Sequence, residues 1–229
     1  MRFREDNVSV QSGLSDYFAA VYKFLGVGFA FTGALAFCVS SFLSNRSFAM
    51  VSIISIPAWI IMSLYFRKVN IRSSYSEISL MYWSYCSVMG ISSAYIFKVF
   101  TSSSIVSMFF LTASIFLVVS YYGASTKTDL SSYLSLAFYT FFAVSIYSLF
   151  AYFVFGSTSS HILLISLSTF VSVVSIAFTS QNLVNIYYSN QVSDEDLNKA
   201  AILSSLVLLM DVIIILRNLL YLFGDRRSD

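Results

Sequence analysis

The stretch LLMDVIIILRNLL, Leu208–Leu220, places an aspartate in the middle of an apolar run. Aliphatic residues and serines precede Asp211 and five aliphatic residues follow it, so a helix over this stretch has no wet face to carry an acid. An ionisable group in such a helix usually faces a cavity or a partner inside a membrane protein. The stretch therefore predicts a membrane helix with one acid in its interior.

The composition of the whole chain agrees with this interpretation. Of its 229 residues, 58% are hydrophobic and 10% are charged, and the mean hydropathy is +0.79. Soluble domains carry roughly 25% charged residues, so the chain falls outside that class. A net charge of +2 is too small to indicate nucleic acid as a partner. The composition predicts an integral membrane protein whose main partner is the lipid bilayer.

Seven apolar segments approach the length of about 20 residues that a helical membrane span needs. In chain order they are Val21–Leu43, Phe48–Phe66, Ile78–Phe97, Ile105–Tyr122, Tyr133–Phe155, Ile162–Phe178 and Ala200–Phe223. The polar breaks between them are too short to hold a second domain. We therefore expect one all-α, polytopic membrane domain over residues 1–229, in which residues 1–19 form a polar N-terminal segment.

The lysines and arginines predict a cytoplasmic N-terminus, because such residues are enriched in cytoplasmic loops. With the N-terminus inside, the inner segments hold Arg2, Arg4, Lys23, Arg67, Lys68, Arg72, Lys127 and Lys199. The outer segments hold Arg46, Lys98 and, for seven spans, Arg226 and Arg227. Arg226 and Arg227 do not fit this orientation. They favour a C-terminal tail on the cytoplasmic side, which would require the final segment to be re-entrant. The side on which the tail lies stays open at this point.

Asp211 is the strongest candidate for a functional residue. An acid at the centre of a membrane helix costs about 2.5–3.5 kcal/mol on insertion scales. The alternative is a purely structural, protonated acid that bonds to a neighbouring serine. Arg67, at the end of the second span, is either a topology signal or a counter-charge or gate that reaches inward to an acid.

Enzyme sites known in membranes lack their residues here. An intramembrane serine protease needs a histidine deep in a span, but the sole histidine, His161, lies at a span boundary. An intramembrane aspartyl protease needs two acids in the bilayer, but this chain has one, Asp211. A retinal protein needs a lysine in its last span, and the last span here has none. We expect no enzymatic activity and no cofactor.

Two stretches resemble the motifs of a known family. The segment YYGASTKTDLSS, Tyr121–Ser132, resembles the "lyGYtTkrDLs" segment of the Bax inhibitor family, the transmembrane Bax-inhibitor-motif proteins. The segment LSSLVLLMDVIIILRNLLYLFG, Leu203–Gly224, resembles that family's closing "alslYLDfiNlFl.lLrllG". The similarity runs from about Val21 to Gly224 and is closest in character to bacterial members.

The resemblance implies a seven-helix bundle with the C-terminal helix at its centre. It also implies a pH-sensitive calcium leak across a membrane; eukaryotic members are associated with suppression of cell death, and some bacterial members modulate a membrane-bound protease. The expected location is a cell inner membrane. Ion leak or leak regulation is the first functional hypothesis. The alternative is a non-conducting interaction protein that modulates such a protease or a stress response.

The family's proposed pH sensor is a pair of aspartates, one in "YDTQ" at the end of the sixth helix and one in "YLD" in the seventh. Asp211 matches the second. Thr179 stands where the first is expected, in the sequence Phe178-Thr179-Ser180-Gln181. Asp211 and Thr179 are thus the expected pH-sensing and ion-pathway positions, and Asp211 is the expected contact for calcium. Because two close carboxylates titrate as a coupled pair, the resemblance predicts an altered pH gate in this chain.

Overall fold

The computed structural model describes residues 2–42, 61–62, 73–155, 160–189 and 194–227. Within these ranges, seven helices account for most of the residues. They are α1 (Arg2–Phe42), α2 (Tyr75–Ser93), α3 (Tyr95–Val99), α4 (Ser102–Ser125), α5 (Ser131–Phe155), α6 (Ser160–Ser189) and α7 (Asp194–Phe223). Over the described ranges, the expectation of an all-α fold is confirmed.

Four of these helices contain stretches long and apolar enough to cross a membrane. They are Gly13–Phe42, Ser102–Ser125, Ile162–Tyr188 and Glu195–Phe223. Even the shortest, with 24 residues, extends over about 36 Å at a rise of 1.5 Å per residue, more than the roughly 30 Å of a hydrocarbon core. Most of the expected second span, Phe48–Phe66, lies outside the described residues. The count of seven spans therefore stays a prediction.

Three helix boundaries differ from the sequence-based expectation. The polar N-terminal segment is helical from Arg2, and α7 begins at Asp194 rather than near Lys199. In the first turns of α7, Lys199 pairs with Glu195 at 2.9 Å, an i,i+4 ion pair that favours the helix beyond its apolar part. The third expected span is broken at Ala94 into α2 and α3. By contrast, α6 continues past Phe178 to Ser189, as the absence of glycine and proline in that stretch predicts.

Contacts divide the chain into two compact units. The first comprises Met1–Val99 with Val184–Leu209, and the second comprises Phe100–Leu183 with Met210–Asp229. The expectation of one domain over residues 1–229 stays a prediction.

Glycines allow α1 and α2 to pack closely in the first unit. A Cβ at Gly28 would overlap the hydroxyl of Tyr82, and a Cβ at Gly90 would lie 2.9 Å from the carbonyl oxygen of Thr32. At this separation Thr32 Oγ1 donates to the carbonyl of Cys86 at 3.3 Å. Small residues that bring helix backbones together, with hydroxyls that bond across the gap, are typical of packing in membranes.

The second unit holds the C-terminal tail against the start of α4. The backbone N–H of Asp225 donates to Ser104 Oγ at 2.9 Å, and the N–H of Thr101 donates to the carbonyl of Asp225 at 3.0 Å. The ring of Phe100 packs edge-on against Tyr221. The tail is therefore fixed at the N-terminal end of α4.

Candidate functional site

Asp211 lies on a stretch of α7 that is surrounded by protein. Its side chain is 7% exposed, and Leu208, Leu209 and Ile215 on the same helix are fully buried. In the most apolar 18-residue window of each stretch, 61% of the residues are buried in α7, compared with 11% in α4. The acid is thus shielded from lipid, as expected for an ionisable residue in a membrane helix.

Two serines of α6 provide the polar surroundings of this acid. The hydroxyl of Ser175 donates to Oδ2 of Asp211 at 2.6 Å, and the hydroxyl of Ser172 lies near enough to the same carboxyl group to act on it electrostatically. Both serines are themselves buried. A buried carboxyl group without hydrogen-bond partners is strongly destabilising. These hydroxyls therefore reduce the energetic cost of placing Asp211 in an apolar helix.

Thr179 lies on the same face of α6 as the two serines. Positions 172, 175 and 179 are separated by three and four residues, the spacing that aligns side chains along one face of a helix. Thr179 is half-buried and one turn, about 6 Å along the axis, beyond Ser175. The carboxylate of Asp211 is hydrogen-bonded at the middle position of this face, Ser175. The pairing of positions 179 and 211 stays a prediction.

This hydroxyl face is a sparse set of ligands for a divalent cation. Calcium takes six to eight oxygen ligands, whereas Asp211, Ser172 and Ser175 offer one carboxylate and two hydroxyls. Within the described ranges, no group of three or more histidine, cysteine or acidic side chains is placed so that it could hold a metal ion. These three side chains alone do not complete the ligand set of a bound calcium ion.

Comparison with known proteins identifies the family. Residues 14–228 match the family described as "Inhibitor of apoptosis-promoting Bax1". The chain therefore belongs to the Bax inhibitor family. Over 232 aligned residues it is 29% identical to the inner membrane protein YbhL of Escherichia coli K12, with 96% of each chain covered. It is also 28% identical to an uncharacterized protein of Rickettsia prowazekii, over 97% of this chain and 94% of the relative.

The segment Tyr121–Ser132, the first of the two that resemble Bax inhibitor family motifs, forms the end of α4, a turn and the start of α5. The side chain of Gln181 on α6 binds this turn at three points. Its Nε2 donates to the carbonyls of Thr128 at 2.7 Å and Thr126 at 3.4 Å, and its Oε1 accepts from the N–H of Leu130 at 3.1 Å. We call this arrangement the Gln181 clamp.

Just before the clamp, α4 and α6 approach each other closely. The hydroxyls of Ser120 and Ser180 are 2.9 Å apart. A Cβ at Gly123 would overlap the backbone carbonyl of Ala177, so a larger residue cannot occupy that position without moving a helix. One ten-residue stretch of α6, residues 172–181, thus contacts both segments that resemble the family motifs.

Sequence reasoning did not single out Ser172, Ser175 or Gln181. Serines occur in almost every span, so no single serine stands out by type. The spacing of residues 172, 175 and 179 along one helix face was the available signal for the partners of Asp211. The contacts of Gln181 are with backbone groups more than 50 positions away, and no sequence spacing reveals those.

Arg67 and Arg217 are the basic residues considered beside Asp211. Arg67 lies outside the described residues, so its role as a counter-charge or gate stays a prediction. Arg217 is six residues after Asp211, about 600° around the same helix, and therefore projects from another face of α7.

Proposed function

We propose that this Bax inhibitor family protein is a membrane ion leak, or the regulator of one, with calcium as the expected ion. The observation that carries the proposal is the buried carboxylate of Asp211 against the hydroxyl face of α6, at 2.6 Å from Ser175. An acid inside a membrane protein most often marks an ion or proton pathway. The proposed activity involves no catalytic step and no resident cofactor.

The proposed mechanism uses the two charge states of Asp211. When ionised, the carboxylate accepts the serine hydrogen bonds and offers a negative charge to a passing cation. When protonated, it loses that charge and becomes a hydrogen-bond donor itself. Proton binding would therefore weaken the attraction for a cation and rearrange the contact with Ser175. Because Thr179 adds a hydroxyl rather than a second carboxylate, we propose a simpler pH response than that of a coupled acid pair.

We also propose a location in a bacterial inner membrane with the N-terminus in the cytoplasm. The relative YbhL is named an inner membrane protein, and the basic residues favour this orientation. Within the second unit, the tail is tied to the N-terminal end of α4 and the Gln181 clamp holds the turn at its other end. These ends are about 36 Å apart, which supports placing the tail and the turn on opposite sides of the membrane.

Cysteine labelling tests this orientation. A single cysteine at Lys127, in the turn after α4, should resist an impermeant thiol reagent added outside intact cells. A cysteine at Ser228, in the tail, should react, and detergent should make both react. Rapid outside labelling at position 127 with protection at position 228 would reverse the proposed orientation.

A second function is favoured by one observation: the carboxylate of Asp211 is met by hydroxyls of Ser172 and Ser175, with threonine at the expected acidic position. A protein with only part of an ion pathway could act by binding a membrane-bound protease without conducting. Such a binder would give no flux on its own. The two functions are therefore separated by a measurement on the purified protein.

Calcium entry into liposomes that hold only this protein tests the ion leak. Wild type should give a flux that Asp211→Asn largely removes, because the amide carries no charge. Asp16→Asn is the matched control, since it removes a carboxylate from an exposed position on α1. Absence of flux in the folded wild type, or equal flux after Asp211→Asn, would contradict the ion-leak proposal.

The variant Thr179→Asp tests the proposed sensor. A second carboxylate on the hydroxyl face should couple to Asp211 and make the flux depend more strongly on pH. Two unneutralised acids can also destabilise the protein, so its thermal unfolding is compared with that of wild type first. An unchanged pH profile in a well-folded Thr179→Asp protein would show that positions 179 and 211 do not form a pair.

A further inference from the structure

The amide of Gln181 uses both kinds of hydrogen-bonding group at once. Its Nε2 donates to two backbone carbonyls of the turn after α4, and its Oε1 accepts from one backbone N–H. Among neutral side chains, only the amides of glutamine and asparagine combine two donors with a carbonyl acceptor. Asparagine is one methylene shorter and would not reach from the same position.

The groups that Gln181 binds are ones that a tight connection between helices leaves without partners. Thr126 is the C-cap of α4, and Leu130 directly precedes α5. The last carbonyls of one helix and the first N–H groups of the next have no partner within their own helices. Gln181 thus completes the hydrogen bonding of the junction between α4 and α5, although it lies more than 50 positions further along the chain.

The clamp continues into a rigid contact between α4 and α6. One turn or less before Gln181, Ser180 meets Ser120 and Ala177 meets Gly123 with no space for a side chain. From Ala177 it is only two residues back along an unbroken helix to Ser175. A displacement of α6 at the clamp is therefore carried to the hydroxyl that bonds Asp211.

We infer that Gln181 is a positioning residue: by holding the turn between α4 and α5, it fixes the rotation and height of α6 and keeps the hydroxyl of Ser175 on the carboxylate of Asp211. The inference concerns how the site is held, and it rests on the proposed ion leak only for its effect on flux. The turn would then be a place where events outside the membrane act on the buried acid.

Amide hydrogen exchange on the whole protein in detergent tests the clamp directly. Gln181→Met removes all three hydrogen bonds at nearly constant volume. The amide of Leu130 should then exchange about three- to tenfold faster, the effect of one lost hydrogen bond. Peptides that cover residues 172–180 and Asp211 should also exchange faster. Asn182→Met, a change at the exposed neighbouring amide, should leave all of these rates as in wild type.

A conservative variant separates positioning from general loosening. An ionised glutamate accepts hydrogen bonds but cannot donate them. Gln181→Glu should therefore keep the amide of Leu130 protected while it loses both bonds to the carbonyls of Thr126 and Thr128. If Gln181→Met fails to fold, the exchange of Leu130 and of residues 172–180 in Gln181→Glu tests the clamp and the positioning role instead.

The outcomes lead to distinct conclusions. Unchanged exchange at Leu130 in Gln181→Met would overturn the clamp. Faster exchange at Leu130 with unchanged exchange over residues 172–180 would overturn the positioning role. In the liposome assay, Gln181→Met should change calcium flux severalfold in the wild-type background and have no effect beside Asp211→Asn. If wild type carries no flux, the ion leak fails, while the exchange measurements still decide the role of Gln181.

Discussion

Serine and threonine have different hydrogen-bond partners on the exposed faces of α4 and α5 and in the contacts that α6 makes with other helices. On the exposed faces of α4 and α5, hydroxyls bond to their own helix: Ser114 donates to the carbonyl of Phe110 at 2.9 Å, and Thr140 donates to that of Leu136 at 2.8 Å. Such a bond to the carbonyl four residues earlier satisfies the hydroxyl without any neighbour. These residues add nothing to the contacts between helices.

On α6, two serines bond across to other helices instead. Ser175 donates to Asp211, and Ser180 meets Ser120. Burial alone does not decide between the two roles, since Thr112 is buried and still donates to its own helix, to the carbonyl of Met108. What decides is a polar partner opposite the hydroxyl. The comparison shows that a serine in a membrane helix carries functional meaning only through what faces it.

The largest effect should come from filling the close contact between α4 and α6. Gly123→Ala places a Cβ onto the backbone of Ala177, which cannot rotate away as a side chain could. We expect a loss of about 1–3 kcal/mol or more, since overpacking forces helices apart. Gly26→Ala in α1 is the control, because no heavy atom lies within 4 Å of its added Cβ. Thermal unfolding in detergent should show a lower Tm for the first variant only. Equal Tm values would mean that α4 and α6 are not in backbone contact.

The next effect should separate the two kinds of serine. Ser175→Ala removes a donor from a buried carboxylate, which should cost about 1–3 kcal/mol because the acid loses a hydrogen bond that water cannot replace. Ser114→Ala removes a hydroxyl that bonds only to its own helix and should change stability by less than about 0.5 kcal/mol. The measurement is the Tm of both variants beside wild type. A similar small effect in both would show that the bond from Ser175 contributes nothing to the stability of the site.

The sequence predicts the class of fold and the central acid well. An apolar helix that contains one aspartate stands out in any scan, because few residues are as costly in lipid as Asp211. The extension of α6 to Ser189 also follows from composition, since no residue before it breaks a helix. The extension of α7 back to Asp194 was not expected. A search for apolar segments finds only the part of a helix that lies in the membrane, whereas the helix itself can continue into polar sequence.

The environment of the acid was harder to predict. Thr179 was chosen by its match to a family position, whereas the hydrogen bond to Asp211 comes from Ser175. The precise rotation and height of two helices decide which of several hydroxyls on one face meets the acid. Those quantities depend on distant contacts such as the one between Gly123 and Ala177, and local sequence does not encode them.

The smallest effect should come from an acid that faces water instead of protein. Asp129 accepts hydrogen bonds from the backbone N–H and the hydroxyl of Ser131, both at 2.9 Å, and these bonds hold the pKa of Asp129 below its ordinary value of 3.8. A carboxyl with a lower pKa in the folded state stabilises the fold above its unfolded pKa, and this contribution is lost as the pH falls through the folded value. Asp129→Asn should therefore lower the Tm slightly at neutral pH and make no difference in strong acid. Ser131→Ala, which removes one of the two bonds, should have a smaller effect of the same sign. A Tm difference that stays constant from neutral to strongly acidic pH would show that the charge of Asp129 does not stabilise the start of α5.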